Sequence, residues 1–154
     1  MTIDTMQITS RYAALTAAIV LSACATPAPH NSSTAADKAP DLDCMLPSNC
    51  VNTAGTGGFE PLTYQGTPLQ AMALLQATLK SFPEATVLHS DALTMQVIFT
   101  TPVGFRDQVD FRINPQDQRI DFRSRSLFGL FDWGKNRSRM QAFTMRFEQQ
   151  ARIK

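Results

Sequence analysis

Two stretches of strict alternation constrain the fold of this chain more than any other feature. From Gln108 to Ile113, the apolar residues Val109, Phe111 and Ile113 alternate with Gln108, Asp110 and Arg112. Strand side chains point to opposite faces with a period of two, so one face of this segment is buried. The turn residues Asn114-Pro115-Gln116-Asp117 follow. The pattern then resumes, with Ile120 and Phe122 inward and Asp121 and Arg123 outward. Two such strands across a short turn form an antiparallel hairpin. Its apolar face must be covered by other elements.

The chain supplies them on both sides. Ala85 to His89 and Leu93 to Thr100 are rich in Val, Ile, Phe and Thr and read as two further strands. Before them, Thr67-Pro68 is a helix start, with Thr as N-cap and Pro at the first helical position. Leu69, Met72, Ala73, Leu75 and Leu79 give that helix an apolar stripe, and Phe82-Pro83 ends it. A last helix runs from about Asn136, its expected N-cap, to Arg152, with Met140, Phe143, Phe147 and Ala151 on its buried side. Strands in one block with helices at its ends predict an α+β fold. We expect an antiparallel sheet of about four strands, with two helices packed on one face.

The amino-terminal residues have a different character. Arg11 precedes a short apolar run that closes on Leu21-Ser22-Ala23-Cys24. A basic start, a short apolar segment and two small residues before cysteine are the layout of a bacterial lipoprotein signal. The run is too short for a bilayer-spanning helix, which needs about 20 apolar residues. We therefore expect residues 1–23 to be a signal peptide, read from Met1 or Met6, and Cys24 to be acylated. An ordinary secretory signal cut after an Ala-x-Ala-like site such as Ser22-Ala23-Cys24-Ala25 is the alternative. Several acyl chains on one cysteine anchor stably, where a single chain binds only marginally. Ala25 in place of an Asp points to an outer membrane, facing the periplasm.

Residues 24–43 then form the acylated cysteine and a tether. Up to Asp41 this stretch holds no large apolar side chain and cannot repay its ordering entropy. His30 lies within it. Residues 44–154 remain for a single α+β domain. The formal net charge of +1 excludes a strong nucleic-acid or polybasic-membrane reading. With Cys24 acylated, Cys44 and Cys50 are left as a pair in an oxidising compartment, where a disulfide is expected. Cys-x5-Cys with only His30 and His89 elsewhere is a poor zinc set, so no metal and no cofactor is expected. The Gly-rich piece from Asn52 to Gly58 lacks the Gly-Lys-Ser/Thr ending of a phosphate loop. Residues 42–66 read as irregular structure, as does the loop from Leu127 to Gly134.

Three segments resemble one bacterial family. They are Cys44-Met45-Leu46-Pro47-Ser48-Asn49-Cys50-Val51, the run from Gly104 to Arg112, and the run from Arg123 through Phe128-Gly129, Asp132-Trp133-Gly134 and Asn136 to Arg139. Together they look like the family catalogued as domain of unknown function 1499, across about residues 44–150. The chain departs from the family pattern in places. Pro47 is displaced by one position. Gln108 replaces an acidic residue, Arg125 a small residue and Leu127 an arginine. The resemblance implies a fold and an envelope setting, not a reaction.

The third segment is the one constellation that could carry chemistry. Alternation puts Arg123 and Arg125 on the face opposite Ile120 and Phe122. The loop presents Asp132, and the helix opens with Lys135, Asn136, Arg137 and Arg139. Free N–H groups and a positive dipole at a helix start suit an anion, and arginine suits bidentate contact with phosphate or carboxylate. Arg123, Arg125, Asp132, Asn136, Arg137 and Arg139 are thus a candidate site for an anionic lipid or a peptidoglycan carboxylate. In the competing reading Arg123, Arg125 and Arg112 pair across strands with Asp121, Asp110 and Asp107, Asp132 caps the helix or holds an arginine, and Gly129 and Gly134 serve tight turns. No nucleophile-elbow, metalloprotease or zinc motif is present. The expected role is therefore a non-catalytic binding or interaction module. A hydrolase using Asp107, Asp132 or Ser126 is the alternative. His89 is expected in the core or at its rim.

Overall fold

The computed structural model describes residues 40–55 and 57–153. The expected signal peptide, Cys24, His30 and most of the tether lie outside the described residues. The elements in chain order are β1 (Cys50–Asn52), β2 (Leu62–Thr63), α1 (Pro68–Leu79), β3 (Ala85–Ser90), β4 (Thr94–Thr100), β5 (Arg106–Asn114), β6 (Arg119–Ser126) and α2 (Lys135–Ile153). The strands form one antiparallel sheet in the order β1-β6-β5-β4-β3, with β2 also on the free edge of β6. The fold is α+β, with six strands among the described residues rather than four. The two additions lie in the segment expected to be irregular. At three and two residues they are too short to show a period, and only their pairing to β6 makes them strands.

Both helices cover the same face. α1 packs on β5, α2 packs on β6 and on both short strands, and the helices meet each other. Val97 and Phe99 of β4, Val109 and Phe111 of β5, and Ile120 and Phe122 of β6 point into this layer. Phe143 is its centre. Its ring lies 5.0 Å from Phe111, 5.7 Å from Phe82 and 6.4 Å from Phe147. Fully burying one such side chain contributes about 1.5–3 kcal/mol.

α1 begins as the sequence predicts, and Gln70 completes a capping box. The Gln70 N–H donates to Thr67 Oγ1 at 3.3 Å, and the Thr67 N–H donates to Gln70 Oε1 at 2.8 Å. Its buried stripe is Ala71, Met72, Leu74, Leu75, Thr78 and Leu79. Leu69 and Ala73, expected inside, face solvent. The helical spacing is kept, but it runs from Ala71 instead of Leu69. On α2 the last buried residue is Phe147. Ala151 is exposed, because the final turns carry no core side chain.

Cys44 and Cys50 form a disulfide with their Cα atoms 5.6 Å apart. Closing so small a loop contributes about 2 kcal/mol. The staple holds the incoming chain against β1, whose residues pair with Arg123, Ser124 and Arg125 of β6.

The β3–β4 turn is organised by Asp91. Its carboxylate accepts from the Thr94 hydroxyl, from the backbone N–H groups of Leu93 and Thr94 at 2.8 Å each, and from His89 at 3.2 Å. The Thr94 bond is the main reason that its pKa is held at about 2, below the ordinary 3.8. The turn's contribution is therefore complete above the ordinary value and is lost as pH falls through about 2. The group is close to half exposed, so the stability effect is small. The titration itself is the readout. An NMR pH series should find Asp91 depressed, and Thr94→Val should return it towards the ordinary value. An unchanged Asp91 titration in that variant would contradict the assignment of cause. His89 is an exposed partner in this turn on the outermost strand, not a core or rim residue.

Candidate functional site

Two polar clusters lie on opposite faces of the sheet. The first is on the helix side, where β5, β6 and the start of α2 meet. Arg139 Nη2 contacts Asp107 Oδ2 at 2.6 Å, and both side chains are about nine-tenths buried or more. Ser126 Oγ donates to the other Asp107 oxygen at 2.6 Å. Asn136 Nδ2 donates to Ser126 Oγ at 3.1 Å and to the Asn49 carbonyl at 3.0 Å. Its Oδ1 accepts from Ser124 Oγ at 2.6 Å and from Arg139 Nη1 at 3.1 Å. The Arg139 guanidinium also lies 4.9 Å above the Phe99 ring. The cluster is closed: every carboxylate oxygen and the buried amide have partners inside the protein.

The second cluster is on the outer face. Arg123 Nη2 contacts Asp110 Oδ2 at 2.9 Å, and Arg123 Nη1 donates to the Asp43 carbonyl at 3.0 Å. Gln96 and Gln108 donate to Asp110 at 3.0 and 2.8 Å. Arg125 Nη2 donates to Gln108 Oε1 at 3.3 Å. Asp110 and Asp121, which alternation turns outward, are nonetheless buried. On a two-sided β strand the period shows which face a residue takes, not whether that face is wet.

The six residues of the candidate anion site do not gather. Arg123 and Arg125 belong to the outer cluster, and Asn136 and Arg139 to the inner one. Arg137 donates to the Gly57 carbonyl at 3.3 Å and lies 5.4 Å over the Phe59 ring. Asp132 caps α2. Its carboxylate accepts from the N–H of Gly134 at 2.9 Å and of Asn136 at 2.8 Å, and its carbonyl from that of Lys135 at 3.0 Å. A carboxylate there also meets the positive end of the helix dipole. Asn136, the expected cap, is instead the second residue of the helix and fully buried. Asp107 and Ser126 touch, but Asp132 joins them only through Asn136, and His89 stands on the far edge strand. A shallow hollow lined by Met145, Glu148 and Arg152 is on α2, and none of the candidate residues lines it.

Beyond the inner cluster, the end of the sheet carries exposed apolar side chains. Phe128, Leu130, Phe131 and Trp133 project from the β6–α2 loop, and Val103 and Phe105 from the β4–β5 loop. The two loops are neighbours, since the Leu127 N–H donates to the Arg106 carbonyl at 3.0 Å. The run Leu127–Gly134 already showed five large apolar residues in a loop, an anomaly in the sequence that alternation and helical spacing do not pick up.

An α+β domain with helices on one face, a disulfide-pinned edge strand and a closed polar cluster beneath the helices is the class of protein these features define. The family model described as a protein of unknown function, DUF1499, matches residues 21–147, and the chain belongs to that family. The match starts upstream of the three motifs. No curated protein matches the chain.

Proposed function

We propose that this chain is an envelope lipoprotein, acylated at Cys24 and held at the outer membrane facing the periplasm. Its α+β domain serves as a non-catalytic interaction module. One observation carries the reading. The groups able to do chemistry are engaged within the fold: Asp107 by Arg139 and Ser126, Asp110 by Arg123, and Asp132 by the start of α2. A general acid, base or nucleophile needs an open side towards a substrate; Asp107 and Asp110 are buried, and the partly exposed Asp132 spends its carboxylate on two backbone N–H groups of the α2 start. The anion that such a module meets is a lipid phosphate at a surface, not a ligand enclosed by Arg123, Arg125, Arg137 and Arg139. Exposed Arg106 and Lys135 are the cations that flank the apolar end.

The test is fractionation with mass analysis. Wild type should pellet with membranes, dissolve in detergent and carry a diacylglyceryl-cysteine amino terminus. Cys24→Ser should be lost from the pellet. Unchanged pelleting of that variant, with no acyl mass on wild type, would remove the lipoprotein reading.

A further inference from the structure

We infer that the apolar end of the domain is a membrane-docking tip, which inserts into the interfacial layer of the bilayer that the chain is anchored to. The inference rests on the anchored reading only in placing a bilayer within reach. Trp133 is 93% exposed and Phe128 76%, and Phe131, Leu130, Phe105 and Val103 stand beside them. Aromatic and leucine side chains of this kind partition into the headgroup and acyl boundary.

Three observations separate this end from an accidental patch. First, the loop is held from beneath. Asn49 Nδ2 donates to the Gly129 carbonyl at 2.6 Å, Ser48 Oγ donates to the Leu130 carbonyl, and Asp132 fastens the next turn. Its polar groups are drawn inward and its apolar groups are left outside on a fixed frame. Second, Trp133 has φ +54°, in the left-handed region that bulky residues avoid. A tryptophan that makes no core contact and sits in an unfavourable backbone conformation is not there for folding, and such outliers concentrate at working surfaces. Third, charge and chain path agree. Across Thr101–Arg106 and Leu127–Lys135 the one acid is Asp132, whose carboxylate is used as the cap, while Arg106 and Lys135 are exposed and suit anionic headgroups. The chain arriving from Cys24 is stapled at this same end, because Cys44 is bonded to Cys50, next to the Asn49 that holds Gly129.

Trp133 is the only tryptophan, so it reports on its own surroundings. The acylated full-length protein would be reconstituted in phosphatidylethanolamine–phosphatidylglycerol vesicles. Its emission would be recorded with and without lipids brominated on their acyl chains. The expected result is a blue shift on reconstitution and strong quenching by the brominated lipid. Phe128→Ser/Phe131→Ser should move the emission back towards the water value while the protein still floats with vesicles and keeps its circular dichroism. Trp133→Gly should fold at least as stably as wild type, since glycine suits that φ. Water-like, unquenched emission in protein that co-floats would overturn the tip and leave the anchor standing. Loss of flotation on detergent-free reconstitution would instead count against both. A blue shift that grows with protein concentration in the absence of lipid would assign this end to a second copy of the chain, against the proposal.

Discussion

Phe143→Ala should lower the unfolding free energy by about 3–5 kcal/mol, the range for emptying a fully buried phenylalanine site. Phe143 has no exposed surface and packs against Phe82, Phe111 and Phe147, so it joins α2 to the turn after α1 and to β5. The rings around it lie in the α1–β3 connection, in β5 and on α2 itself. They cannot close the gap without moving backbone, so the cavity term persists. For a domain of this size the melting temperature should fall by roughly 15–25 °C. Phe128→Ala is the matched control. It removes an equally large ring from the exposed tip and should change stability by less than about 0.5 kcal/mol. Denaturant titration of both variants is the check, with the midpoint shifted and the slope kept. A loss at Phe128 comparable to that at Phe143 would mean that the tip is part of the core, and the docking proposal would fall with it.

The two sites differ in how far the sequence reveals them. Phe143 is legible, because it shares a helical stripe with Met140 and Phe147 and nothing about its position depends on a distant element. The hairpin partners Val109, Phe111, Ile120 and Phe122 are legible for the same local reason. β1 and β2 are not. Three and two residues carry no period, and they are strands only because β6 offers them an edge. The stripe on α1 is half legible, since spacing is local but its phase is set by the sheet beneath.

The candidate site shows the same limit. Alternation puts Arg123 and Arg125 on the outer face, and there they are. Spacing along α2 cannot say that the helix crosses to the inner face and carries Arg139 onto Asp107. Six residues close in sequence therefore separate onto two sides of a sheet. The burial of Asp110 is equally non-local, since Gln96, Gln108 and Arg123 come to it from three strands.

Arg139→Met should cost about 3–5 kcal/mol, because it strands a buried carboxylate. In the native protein Asp107 has the Arg139 guanidinium on one oxygen and the Ser126 hydroxyl on the other. Without Arg139, one neutral donor faces a full charge that burial keeps from water. Asp107→Asn should be similarly harmful from the other side, leaving the buried guanidinium without its counter-charge, with Asn136 and the Phe99 ring beside it. The informative variant is the double one. Asp107→Asn/Arg139→Met removes both charges and keeps the approximate volume, so it should lose clearly less than the sum of the single losses. Glu148→Ala breaks the exposed Arg152–Glu148 pair, 3.9 Å apart, and should change stability by less than about 0.5 kcal/mol. Strictly additive losses at Asp107 and Arg139 would show that the two charges do not depend on each other. The inner cluster would then no longer be the closed, internally satisfied network on which the non-catalytic reading rests.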